Sequence, residues 1–314
     1  MQKYPLKLQG YTADYIWGGQ KLAKNWGKQG EQIAESWELS LYPERESVIL
    51  NGMLAGLNLA ELMQKEPAWF GKAAHYQPFP LLVKLIDAAK DLSIQVHPSD
   101  EYAARVEGGY GKSEMWYVAE AEPDASIYFG LKQDMDKPTF LRSIKEGKLE
   151  QLLNKVKIKE GDCVFIGSGT LHAINAGATI IETQQNSNLT YRVYDYNRKD
   201  QFGNLRELHI QKALEVSKLN VTDTQTIKNY QDIEKNKLIY LGGCRYFASY
   251  IVHLQGELLL GAKDSFLAFT VISGSGKVAG EELGKGDTYL LPCGFFAPVC
   301  AKDARLIITK LGED

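Results

Sequence analysis

Short β patterns fill most of the chain, and that density of strands restricts its fold more than any other feature. The segments SVILNGM, LLVKLID, LSIQVHP, EMWYVAEA, ASIYFG, DCVFIGSG, TIIETQQ and LTYRVYDY are each brief and bounded by Gly, Pro, Asp or Asn, as expected of many strands joined by tight turns. A mainly β architecture follows. Within it, the stretch SIQVHPSDEYA places Ser93, Gln95 and His97 at alternate positions, with Ile94 and Val96 between them. Alternate side chains of a strand share a face, so three polar groups line a wall while two apolar ones enter a core. A polar inner wall marks a candidate site.

Helical periodicity interrupts the strands at three places. Asn58–Gln64 opens with a capping box of Asn58 and Glu61. Lys137–Leu153 has Pro138 at its start and an apolar stripe of Leu141, Ile144, Leu149, Leu152 and Leu153, and Leu205–Leu219 forms a third helix. The polar run NVTDTQTIKNYQDIEKNK buries little and reads as a linker, after which strands resume. This predicts a domain over 1–237 that carries the helical insertions and the linker, and a smaller C-terminal β domain over 238–314.

At 314 residues with 44% hydrophobic content, the chain can build a substantial core. Its net charge of −3, without a basic stripe, argues against a nucleic-acid partner. No window approaches the roughly 18 apolar residues of a membrane span, and the N-terminal stretch has no signal-peptide core, so a cytoplasmic location is expected. Cys163, Cys244, Cys293 and Cys300 lack metal-type spacing and lie among apolar or small residues, which predicts buried free thiols.

Two segments, KIKEGDCVFIGSGTLHAI and EELGKGDTYLLPCGFFAPV, share a Gly-Asp turn, an apolar strand and a Gly-containing turn. Their form resembles the second motif of the cupin superfamily, which implies two jelly-roll β-barrels. The first copy carries His172; the second has Phe295 and Phe296 there and no His, which implies a C-terminal barrel without a metal. Gln95 and His97, Glu114 in GKSEMWYV, and His172 make four candidate ligands on strand-like segments. Two His with a carboxylate suit zinc and ferrous iron alike, so ligand type alone leaves the metal open. His75, His209 and His253 lie in contexts that suggest structural or surface roles.

The run PLLVKLIDAAKDLSIQVHPSDEYA, then GKSEMWYV, then GTLHAINAGATIIETQQNSNLTYRVYDYNR, with YIWGGQKL and AESWELS before them, closely resembles the type I mannose-6-phosphate isomerases in their short bacterial form. The resemblance spans nearly the whole chain. It implies one zinc ion per chain held by Gln95, His97, Glu114 and His172. It also implies a sugar-phosphate pocket that uses Ser93, Lys112, Glu182 and Arg192, and leaves the oligomeric state open. Two positions depart from relatives: Asn188 stands where many have Asp, and Ile174 where longer members have Tyr.

The residue types suit the implied chemistry. Moving a proton between C1 and C2 of a sugar through an enediol builds negative charge on oxygen, which a zinc with one carboxylate and three neutral ligands stabilises. Lys112 and Arg192 add cationic donors whose roles, phosphate binding or charge stabilisation, sequence does not divide. Glu182 follows Ile180 and Ile181, so burial should raise its pKa toward the range of a general base; the alternative is a buried Glu that bonds and orients Arg192. A metal-dependent cupin oxygenase and a non-catalytic sugar-phosphate-binding cupin are the competing readings.

Overall fold

Strand Leu81–Ala88, sequence LLVKLIDA, is buried at every position, because the sheet that contains it is covered on both faces. The structure, a computed structural model, describes residues 1–199 and 203–313. Its first sheet has seven antiparallel strands in the order Lys228–Asn229, Asp162–Ile166, Glu114–Ala121, Ala178–Gln185, Leu81–Ala88, Glu35–Leu39 and Tyr11–Ala13. One face packs on a five-stranded sheet ordered Tyr191–Tyr194, Ile94–Val96, His172–Ile174, Ser126–Leu131 and Leu153–Lys157. Ile86, Trp116 and Ile180 from the first sheet meet Ile127, Phe129 and Ile174 from the second in one core, the face-to-face packing of two antiparallel sheets.

The other face packs on an eight-stranded sheet that contains the long strands Phe247–Gly261, Leu267–Val278 and Phe296–Lys310. Leu81, Val83 and Ile181 share a core there with Phe247, Ile251 and Ile307. The chain's first strand, Leu6–Gln9, also lies in this last sheet, paired with Thr288–Leu291. Glu38, wholly buried, ties the sheets together: it accepts from Lys28 Nζ at 2.7 Å and from Thr288 Oγ1 at 2.9 Å. The architecture is mainly β with helical insertions, as the sequence predicts.

The insertions differ in detail. Leu59–Lys65 forms with its Asn58–Glu61 capping box intact. The segment expected as one helix over Lys137–Leu153 is two, Lys137–Lys145 and Leu149–Leu152, interrupted where Gly147 takes φ 66°, a conformation a helix interior does not accommodate. The third helix spans only Ile210–Val216. The polar run is not a bare linker, because Lys228–Asn229 pairs with the edge strand Asp162–Ile166. All four cysteines are free, but only Cys163 is buried; Cys244, Cys293 and Cys300 are partly exposed, which corrects that expectation. No helix among the described residues is long and apolar enough to cross a membrane.

Candidate metal centre and active-site cavity

Strand pairing assembles the site at one end of the core between the first two sheets. Gln95 on strand Ile94–Val96 lies opposite His172 on one side and Arg192 on the other, so these three side chains share a face. His97 follows that strand, and Glu114 opens the strand Glu114–Ala121 of the facing seven-stranded sheet. Trp116, two residues beyond Glu114, stands edge-on to the His172 ring at 5.3 Å and closes the core beneath the site.

His97, Glu114 and His172 are each at most 1% exposed, and their candidate ligand atoms all lie within 4.8 Å of one another. His97 Nε2 is 3.1 Å from Glu114 Oε1 and His172 Nε2 is 3.7 Å from Glu114 Oε2. Donors bound to one zinc at about 2.0–2.2 Å stand roughly 3–3.6 Å apart. The Nδ1 atoms of His97 and His172 each lie 2.8 Å from a backbone carbonyl, of Leu189 and Thr170 respectively. Donation to those carbonyls places the ring proton on Nδ1 and leaves the Nε2 lone pairs turned inward. His172 Nε2 and Glu114 Oε2 are buried without hydrogen-bond partners among the described residues. Unpaired buried acceptors are costly, and a cation at their centre would satisfy both; the donor set fits a divalent metal.

The electrostatics agree. Burial, reinforced by the charge of Lys112, drives the His97 pKa down to about 3, and burial also lowers that of His172; both rings are neutral, as ligands must be. Burial alone would raise the pKa of Glu114, but the Lys112 ammonium beside it outweighs burial and holds the carboxyl well below its usual range. Lys112 Nζ sits 2.6 Å from Glu114 Oε1, and for it too the neighbouring carboxylates Glu114 and Glu182 outweigh burial and raise the pKa.

Beside these groups opens a cavity of about 290 Å³ lined by Ser93, Gln95, Lys112, Glu182 and Arg192. The structure thus brings every site residue anticipated in the sequence to one place. Glu182 is 4% exposed, and its Oε2 accepts from Trp116 Nε1 at 3.0 Å while Oε1 has no hydrogen-bond partner among the described residues. Burial, then the neighbouring Glu114, pushes its pKa up to about 7. The alternative of a Glu182–Arg192 pair is not realised: Arg192 Nη1 instead donates to the Glu207 carbonyl at 2.8 Å. Asn188 and Ile174, the two departures, also line the cavity.

Sequence reasoning missed Glu35, Lys84 and Arg206, all in the cavity wall. Lys84 Nζ lies 3.4 Å from Glu35 Oε2, which also accepts from Trp37 Nε1 at 2.7 Å, and stands 4.4 Å from the centre of the Trp37 ring. The available signal was a lone cation inside the apolar run LLVKLIDA. Of the remaining histidines, His253 pairs with Asp303 near the surface and His209 Nδ1 accepts from the Arg192 backbone at 3.2 Å.

Comparison with known proteins places these features in context. Residues 6–127 match the sequence profile of the phosphomannose isomerase type I catalytic domain. The chain is 39% identical over 300 residues to mannose-6-phosphate isomerase ManA of Bacillus subtilis, covering 94% of this chain and 95% of that protein. It is 37% identical to the mannose-6-phosphate isomerase of Streptococcus mutans, with 92% of each covered. Its fold is similar to the crystal structure of a mannose 6-phosphate isomerase from Bacillus subtilis, at TM-score 0.88 and 36% identity, with 98% and 99% of the two chains covered. The Salmonella typhimurium phosphomannose isomerase, at 16% identity and TM-score 0.78, shares the fold.

Proposed function

The chain belongs to the type I phosphomannose isomerase family, and from that membership we propose that it interconverts mannose 6-phosphate and fructose 6-phosphate. The observation that carries the reading is a buried carboxylate, Glu182, with one oxygen held by Trp116 and the other without a hydrogen-bond partner among the described residues, in a cavity beside a histidine–carboxylate cluster. In the forward direction, Glu182 takes the proton from C2 of the open-chain sugar and returns it to C1, while the hydroxyl proton at O2 passes to O1. One C–H bond breaks, another forms, and the carbonyl moves from C1 to C2 by way of an enediol without net oxidation. A base with a pKa of about 7 is matched to that task near neutral pH.

Gln95, His97, Glu114 and His172 would hold zinc, which when bound supplies a Lewis acid for the charge that develops on the sugar oxygens. Lys112 is anchored to Glu114 at 2.6 Å and adds a fixed positive charge at the reacting end. Ser93 and Arg192, both in the cavity wall, bind the sugar phosphate. The residues from 238 onward act as a supporting β unit that covers the back of the first sheet, and a charged sugar phosphate as substrate accords with a cytoplasmic location. A coupled assay from mannose 6-phosphate to fructose 6-phosphate tests the reading; its absence in protein verified to be metal-loaded would overturn it.

A further inference from the structure

Arg206 reaches the same cavity from outside both site sheets, and its setting is that of an anion site. Its Nε and Nη2 donate to the two oxygens of Asp195, at 2.7 and 2.5 Å, which fixes the plane of the guanidinium and leaves Nη1 without a partner among the described residues. Asp195 is itself 5% exposed and also holds Arg198 at 2.5 Å. Arg192 lines the cavity beside Arg206, and Arg206 is the charged neighbour that weighs most on it. The Nε of Arg192 is buried with no acceptor among the described residues. Like charges in a half-buried pocket, one with a stranded donor, are unfavourable until an anion joins them.

The other end of the cavity cannot serve that purpose. There Lys112 and Lys84 are engaged by Glu114 and Glu35 at 2.6 and 3.4 Å, and Glu182 adds a third carboxylate. We propose that Arg206, aimed by Asp195, holds the phosphate group of the substrate alongside Arg192 and so sets which end of the sugar faces Glu182. This rests on the isomerase reading and adds to it a phosphate-recognition residue, Arg206, and a positioning residue, Asp195.

The test measures steady-state constants for mannose 6-phosphate and the inhibition constant of inorganic phosphate in the zinc-loaded protein. A charge-assisted hydrogen bond lost from a buried site corresponds to about ten- to a hundredfold in binding. Arg206→Gln should therefore raise both KM and the phosphate inhibition constant by that factor while kcat changes far less. Arg206→Lys should restore part of the loss, and it serves alone if the Gln variant does not fold. Asp195→Asn should raise the same two constants, with melting temperature and zinc content reported beside them. If folded Arg206 variants keep both constants within twofold of wild type, the assignment is wrong even though the protein is an isomerase. If wild-type protein turns over no mannose 6-phosphate, the isomerase reading fails instead, and phosphate binding by calorimetry, lost in Arg206→Gln, still decides the anion site.

Discussion

Glu182 and Lys84 face each other directly across adjacent strands, with the ammonium 4.0 Å from Oε1 of the carboxylate. That separation is too long for a hydrogen bond and short enough for charge to be felt. Lys84 therefore steadies the ionised form without occupying the oxygen that would take a proton. Glu182→Gln keeps the shape and removes the base, so kcat should fall by roughly 10²–10⁴-fold. Zinc content should stay at the wild-type level, as metal analysis of the purified variant will show; a near-normal kcat with zinc retained would remove Glu182 from the mechanism.

The same group gives a pH signature in metal-free protein. Its folded pKa, about 7, lies above the ordinary value of 4.5, so the folded state binds the proton more tightly than the unfolded one. The stability this contributes is complete below the unfolded pKa and is lost as pH rises through about 7. Denaturant melts should show wild-type stability declining across that window relative to Glu182→Gln, whose curve should be flatter there.

Metal removal should abolish turnover, and zinc should restore it. His97→Ala and His172→Ala each delete one of two inward-facing Nε2 atoms, so metal stoichiometry per chain should drop in both. Full activity in protein verified as metal-free would refute the site.

Lys112 compensates the Glu114 carboxylate, and a metal at the cluster would compensate the same group. Lys112→Met leaves Glu114 buried without its cation, and breaking a buried pair on one side costs about 3–5 kcal/mol. Urea unfolding should register that loss in metal-free protein and a much smaller one with zinc present. Equal losses in both states would separate the lysine from the metal centre.

The clamp at Glu38 predicts an effect on stability alone. Glu38→Ala removes the counter-ion of Lys28 and a buried acceptor for the Ser36 and Thr288 hydroxyls, leaving Lys28 on the Gly286 carbonyl and Thr288 on Thr270, so the melting temperature should fall while KM for mannose 6-phosphate holds. Truncation before residue 238 removes the strand paired with Leu6–Gln9 and uncovers the apolar back of the first sheet; aggregation is the expected result, and a soluble, fully active fragment would contradict it.

What could be read from sequence was local. Ser93, Gln95 and His97 announce their shared face through strand alternation, and the capping box at Asn58 announces its helix. Glu35 and Lys84 were hidden because their meaning depends on a neighbouring strand: LLVKLIDA is mostly apolar, and only the pairing of Lys84 with Glu182 and Trp37 shows which face its one cation occupies. Arg206 was hidden for a different reason. It lies outside any strand pattern, and it reaches the cavity through a bidentate bond to Asp195 that spacing does not encode. Gly147 shows the limit of periodicity, since one left-handed residue divides a stripe that reads as continuous.

The first strand's place in the last sheet also governs how the molecule comes into being. Lys7 meets its ion-pair partner Asp287 only across a sequence separation of 280, and Leu6 waits for Leu290. On the ribosome, Leu6–Gln9 can pair early with Val48–Ile49 on one edge, but its other edge stays unpaired until Thr288–Leu291 has been made. Contacts this distant in sequence slow folding and leave nascent chains open to aggregation, so this sheet can close only after every strand of the other two has been made.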